Sequence, residues 1–360
     1  MKKVLEALGG RFFCVAASAL AVIFLALEGT FTFGIRHNPF FLLLVLGLMT
    51  SLVVAVLRRR NNILCHLGLF LILFGGFFGA PFFSEGTMKV SATSESCIAV
   101  SSEGKHFRTP FNVRLLEFKT EYYDDGKNPK QYSSRIIIDG VEKVTAVGKP
   151  CLHKGYLIYQ SGHEGESCSI IKIVRDPFLA VVFLGMLLAA IGALMSISSL
   201  WQSWITIAIT ICLSVVFGVI SLARIHLGTM APALRSLWFI PHLAAYMIAY
   251  ALLALSIVLW IIRKKETALK LVGASSSLLL IGMLCGAVWA KFAWGDYWSW
   301  DPKECWAAAT WLLTLMATHI PKDRRKLIFI TILLAFLSMQ ITWYGVNYLP
   351  SSSESIHIYR

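Results

Sequence analysis

Residues 289–306 read WAKFAWGDYWSWDPKECW, a tryptophan-dense, carboxylate-bearing stretch between two apolar runs that are each long enough to cross a membrane. Trp and Tyr carry one polar edge on a flat apolar body, which suits a membrane–water interface. An interfacial belt needs one or two such residues. Here Trp289, Trp294, Tyr297, Trp298, Trp300 and Trp306 crowd one segment, enough flat surface to hold a large planar ligand.

Working outward, the chain is 57% hydrophobic and 15% charged, which describes an integral membrane protein. The net charge of +13 does not point to nucleic acid, because residues 84–176 are nearly neutral, with 13 Lys or Arg against 12 Asp or Glu. The excess sits in short clusters beside the apolar runs. Nine spans of about 20 residues, the length a bilayer core requires, are expected at 12–34, 39–57, 62–83, 177–198, 202–223, 238–262, 268–290, 305–321 and 327–345. Cytoplasmic loops retain Lys and Arg. An N-terminus inside then places Lys2, Lys3 and Arg11, the run Arg58 to Arg60, the run Arg263 to Lys265, and Lys322 with Arg324 to Lys326 together in the cytoplasm. The expected fold is a polytopic all-α membrane protein of about nine transmembrane helices. The first run ends at Glu28-Gly29-Thr30 without a small-x-small cleavage site and reads as an uncleaved span.

Residues 84–176 read differently. Alternating pieces at 111–118, 135–138 and 156–160 are separated by Asp124-Asp125-Gly126, Asp139-Gly140 and Gly162, which is strand-and-turn chemistry. A small, mostly β extracytoplasmic domain is expected there. The divisions are 1–83 with three helices, 84–176 as the β domain, 177–198 as a connecting helix, and 199–360 as a second membrane domain carrying the aromatic loop 289–306.

The eight cysteines contain no Cys-x-x-Cys pair, so they suggest neither a metal site nor a redox motif. Cys14, Cys65, Cys212 and Cys285 fall in spans and behave as small hydrophobes. Cys97, Cys151 and Cys168 leave room for one disulfide of unassigned pairing. Histidines carry more information, since a polar side chain in a span requires a reason. His66 and His319 share one membrane depth on the cytoplasmic side. His242 and His357 share the outer side with the aromatic segment. Two pairs at two depths suggest bis-histidine ligation of haem at two stations. Each histidine also has a plainer reading: His66 beside Gly68 as a packing residue, His319 as an interface end before Pro321, His242 after Pro241 as a cap-region residue, His357 as a tail residue. His226 with Arg224 is the second choice for an outer ligand.

The run Trp294-Gly295-Asp296-Tyr297-Trp298-Ser299-Trp300-Asp301-Pro302-Lys303-Glu304 resembles the tryptophan-rich (WWD) signature of haem-handling proteins of cytochrome c biogenesis. Residues 233–238 leading to His242, and Thr342-Trp343-Tyr344-Gly345-Val346-Asn347 leading to His357, are similar to the CcsA half of the system II pathway. Residues 65–73, Lys149-Pro150 and 155–160 are similar to its CcsB (ResB) half. The chain thus resembles the CcsB–CcsA (ResB–ResC) fusion family, as a shortened member with a small extracytoplasmic domain.

That resemblance implies haem b as cargo, with His242 and His357 as external iron ligands and His66 and His319 as membrane ligands. It implies a holocytochrome c synthase that exports haem and attaches it to the Cys-x-x-Cys-His thiols of apocytochrome c in the inner membrane, beside a thioredoxin-like thiol reductant. A carrier that delivers haem without ligating it is the alternative. Trp289, Trp294, Gly295, Tyr297, Trp298, Trp300 and Arg235 are expected to contact haem, and His242, His357, Trp294, Trp298, Trp300 and Asp301 to serve the ligation. Asp296, Asp301, Lys303 and Glu304 admit a loop-fixing role, with Asp301-Pro302 starting a helix. Lys291, Lys303, Arg224 or Arg235 stand as propionate partners.

Overall fold

The computed structural model describes residues 10–58, 62–197 and 230–355. Three apolar helices come first, α1 (Arg11–Phe31), α2 (Pro39–Leu57) and α3 (Ile63–Gly79). Each start has a local cause. The Asn38 side chain accepts from Phe40 N at 2.9 Å with Pro39 in the first turn of α2, and Asn62 in the left-handed region accepts from Cys65 N at the start of α3. After the β domain come α4 (Leu179–Ile197), α5 (Phe239–Ile261), α6 (Lys265–Trp294), α7 (Pro302–His319) and α8 (Arg325–Trp343).

Seven helices among the described residues are long and apolar enough to cross a membrane. The described residues thus account for seven of the nine expected spans. The run 202–223 lies outside the described residues, and α7, expected as the eighth span, is a helix of 18 residues but not one of the seven. Its lower hydropathy has a packing reason: Thr310 and Thr314 are buried against protein, where Thr310 Oγ1 bonds Ser338 Oγ at 2.9 Å. A core of Tyr250, Leu253, Val272, Leu279, Leu313 and Ile332 joins α5, α6, α7 and α8.

Strands β1 (Ser84–Ser91), β2 (Ser96–Val100), β3 (His106–Tyr122), β4 (Pro129–Ile138), β5 (Val141–Ala146), β6 (Cys151–His153), β7 (Tyr156–Glu164) and β8 (Cys168–Arg175) form one antiparallel sheet in the order β5-β4-β3-β2-β1-β8-β7-β6. Alternation buries Phe111, Val113 and Leu115 on one face of β3, and a register shift between Leu115 and Glu117 lets that 17-residue strand bend. The sheet curls far enough for Thr145 Oγ1 of β5 to donate to Ile158 O of β7 at 2.8 Å. Ser134, Gln160 and Ser169 satisfy one another inside it. Cys97, Cys151 and Cys168 lie on β2, β6 and β8 as free thiols.

Contacts fix which helix ends lie near this domain. The end of α3 runs into β1, and β8 runs into α4. Before α5, Tyr123 Oη donates to Met230 O at 3.0 Å and Arg235 Nη1 to Lys130 O at 3.3 Å. Asp296, just after α6, pairs with Lys172 of β8 at 2.9 Å. Consequently α5 and α7 start at the domain end and α6 and α8 start at the opposite end. Arg263, Lys265, Lys322 and Arg325 therefore gather far from the β domain, on the same side as the start of α3.

The α3–α4 contact depends on missing side chains. A Cβ on Gly68 would overlap the backbone nitrogen of Ala189 and stand 2.5 Å from Gly185 O, and one on Gly192 would stand 2.5 Å from Cys65 N. Close backbone approach at small residues is how helices gain packing in lipid. Gly68→Leu is expected to push α4 away and lower the thermal midpoint of the detergent-purified protein by several degrees, the effect of overpacking by about 1–3 kcal/mol. An unchanged midpoint would contradict this contact.

Candidate functional site

At the end opposite the β domain, His66 lies in the first turn of α3 and His319 is the last residue of α7. His66 Nδ1 is 2.9 Å from Asn62 O, and His319 Nδ1 is 2.9 Å from Leu315 O. A carbonyl oxygen only accepts, so each ring carries a proton on Nδ1, which in the neutral imidazole makes Nε2 the lone-pair nitrogen. That is the tautomer a metal-bound histidine adopts, with the second nitrogen oriented by a carbonyl.

At the domain end, His242 occupies the first turn of α5, and its Nδ1 is 2.8 Å from Gly282 O of α6. The same reasoning puts its lone pair on Nε2. Its ring stands against Gly286, where a Cβ would lie 2.7 Å from Nδ1. The Trp289 ring is 5.8 Å away and Tyr246 4.9 Å away. Trp289 is itself held, with Nε1 donating to Ala233 O at 2.8 Å and its ring 5.2 Å from Trp294. His357, His226 and Arg224 lie outside the described residues. The chain leading toward His357 is anchored, because Ser351 Oγ donates to Gly29 O of α1 at 2.7 Å.

The aromatic segment differs from the single loop expected. Trp289 and Trp294 sit on the last turns of α6, Trp306 sits on α7, and only residues 295–301 are irregular. The rings fall into two groups. Trp289 and Trp294 pack with Leu234 and Phe239 beside His242. Trp298, Trp300 and Trp306 pack with Leu25, Cys305 and Ala308, and Trp300 meets Phe41 edge-on at 5.6 Å. Helix continuation through Trp294 explains the difference: Gly295 at φ 92 closes α6, a conformation that suits glycine. A Cβ there would also meet Val174 at 2.9 Å.

Charged side chains fix the segment to the β domain. Lys172 Nζ lies 2.7 Å from Glu85 and 2.9 Å from Asp296, while Lys291 Nζ lies 2.7 Å from Asp176. Burial opposes the Lys172 charge, but the Asp296 and Glu85 carboxylates outweigh it and hold its pKa above the ordinary value. Burial first, and the Asp176 charge second, push the Tyr297 hydroxyl far above its ordinary pKa. Lys291 is 1% exposed and also stands 4.4 Å over the Tyr297 ring. It is engaged by Asp176. Arg235 is likewise engaged, donating to Lys130 O and facing the Tyr123 ring at 5.8 Å. Asp301 accepts from Lys303 N at 2.8 Å and Glu304 returns to Asp301 N at 3.2 Å, a capping box that starts α7.

Sequence reading missed Asp176, Lys172 and Glu85, which are remote from the segment in the chain, and Gly282 and Gly286. The spacing of those two glycines on the apolar run before Trp289 marks the face that admits His242.

Two family models divide the chain at the point where β8 ends. The ResB-like family matches residues 56–172, and the cytochrome C assembly protein family matches residues 176–353. The chain joins a ResB-like domain to a cytochrome c assembly domain. His66 belongs to the ResB-like part, while His242, His319 and the tryptophan segment belong to the assembly domain. The Lys172–Asp296 bridge crosses between them. Similar curated proteins are named cytochrome c biogenesis protein CcsA. That of Chlamydomonas reinhardtii is 33% identical over 153 residues, 36% of this chain and 42% of the relative. That of Adiantum capillus-veneris is 50% identical over 76 residues, 20% and 24% respectively. That of Mesostigma viride is 30% identical over 186 residues, 37% and 58%. The chain thus spans about a quarter to somewhat over half the length of these relatives.

Proposed function

We propose that this protein exports haem b across the cytoplasmic membrane and attaches it to the Cys-x-x-Cys-His thiols of apocytochrome c. The observation that carries the reading is the joining of a ResB-like and an assembly domain in one chain, with His66 of the first and His319 of the second at the same end of the bundle. With the basic helix ends in the cytoplasm, haem enters between His66 and His319 and passes to the side of the β domain. His242 and His357 then take the iron beside Trp289, Trp294 and the segment Gly295, Tyr297, Trp298 and Trp300. Two axial imidazoles keep the iron six-coordinate.

Apocytochrome presents its two thiols, kept reduced by a thioredoxin-like protein, and its histidine replaces one iron ligand. Each S–H adds across a vinyl C=C, forming one C–S and one C–H bond with no net oxidation. Positioning of the reactants supplies the rate. Asp301 serves through the capping box that shapes the segment, and Arg235 through its hold on the β domain.

The test is co-expression with a Cys-x-x-Cys-His apocytochrome in a host without its own maturation genes. Covalent haem on the cytochrome is expected. Haem retained by the membrane protein with no covalent product would instead leave a carrier that delivers haem without ligating it.

A further inference from the structure

At the end of the bundle opposite the β domain, a cavity of about 180 Å3 is lined by Arg263, Lys265, Lys322 and Arg325 over the Trp260 indole. Four cations face one carboxylate, Glu266, which Lys322 already engages at 2.9 Å. Two helix starts converge here, α6 at Lys265 and α8 at Arg325, and neither has a side-chain cap. A helix start leaves backbone N–H groups unpaired and carries partial positive charge. Acidic or hydroxyl residues ordinarily answer it. Here Lys264 and Arg324 occupy the two N-caps, like charge against like, and Glu266 in the first turn of α6 is the one acidic side chain in the first turn of either helix.

The floor is firm and apolar. Trp260 stacks on Phe329 at 5.9 Å and 6°, Lys265 Nζ stands 5.7 Å over its ring, and Ile328 is fully buried. Beside the cations, Ile261, Ile262, Leu327 and Ile330 are exposed on the helix surfaces, one to five residues from the lining residues. We propose that this cavity binds the phosphate headgroup of an anionic phospholipid, whose acyl chains run along those exposed aliphatic side chains. The phosphate answers both helix starts and the cations at once. The apolar flank favours a lipid over a free anion, and the small volume favours one headgroup.

The test uses the full chain in nanodiscs of phosphatidylcholine with and without phosphatidylglycerol, followed by native mass spectrometry of retained lipid. Retention of phosphatidylglycerol over phosphatidylcholine is expected. Arg263→Gln with Arg325→Gln should weaken that preference on the order of tenfold, from the loss of two cations near a membrane surface. Lys326→Gln, outside the cavity, should leave it unchanged, and Glu266→Gln should strengthen it. A double variant with undiminished preference would overturn the site. Should that variant not fold, Glu266→Gln decides the matter, since no gain in preference there overturns it equally. Inorganic phosphate added to phosphatidylcholine nanodiscs should not raise the thermal midpoint as phosphatidylglycerol does; equal stabilisation would replace the lipid by a free anion.

Discussion

Lys291→Met is expected to destabilise the protein by about 3–5 kcal/mol, the cost of leaving one member of a buried ion pair alone. Lys291 is 1% exposed and Asp176 10%, and their atoms meet at 2.7 Å. Methionine fills a similar volume but cannot answer the Asp176 carboxylate. The thermal midpoint of the purified protein should fall steeply, and covalent haem yield with it. Adding Asp176→Leu should recover much of the midpoint, because two apolar groups need no counter-charge. Recovery of stability without recovery of yield would mean that the pair also sets the angle at which α6 delivers Trp294 and Tyr297. A single variant with an unchanged midpoint would remove the pair as a support.

Gly286→Ala is expected to change the spectrum of bound haem and lower haem retention by about tenfold or more, the usual effect of disturbing what orients a ligating histidine. The added Cβ would lie 2.7 Å from His242 Nδ1 and 2.8 Å from Cε1, so the ring must leave its bond to Gly282 O. Alanine favours a helix over glycine by about 1 kcal/mol, so a loss cannot come from weakening α6. His242→Gly should lose the same spectrum yet recover part of it with added imidazole, since there the space is open. Gly286→Ala should not recover with imidazole, because its methyl group occupies the place of the ring. An unchanged spectrum in Gly286→Ala would dissociate His242 from haem.

How far this was legible in the sequence depends on the range of the interactions. Apolar runs announce helices locally, and the expected 39–57 coincides with α2 while 238–262 differs from α5 by a residue at each end. The strand pieces at 111–118, 135–138 and 156–160 fall in β3, β4 and β7. Asp301-Pro302 with Glu304 was readable because a cap acts over three residues. The division of the tryptophans was not. Helical periodicity carried through Lys291 to Trp294, and a dense aromatic run without a break signal before Gly295 looks the same in a helix or a loop. The pairing of Lys291 was not readable either, because its partner, Asp176, lies 115 residues earlier. Charge pairing across that separation has no local signature.

The Lys172–Asp296 bridge takes one member from either side of the ResB-like and assembly boundary, and His66 and His319, at one end of the bundle, also come from either side. Were the two parts separate proteins, that bridge would form only as often as they met in the membrane. A single polypeptide makes that meeting intramolecular, with an effective concentration set by the connecting chain in place of expression level. Dilution should therefore leave the Lys172–Asp296 bridge intact, and the two parts are always made in equal number.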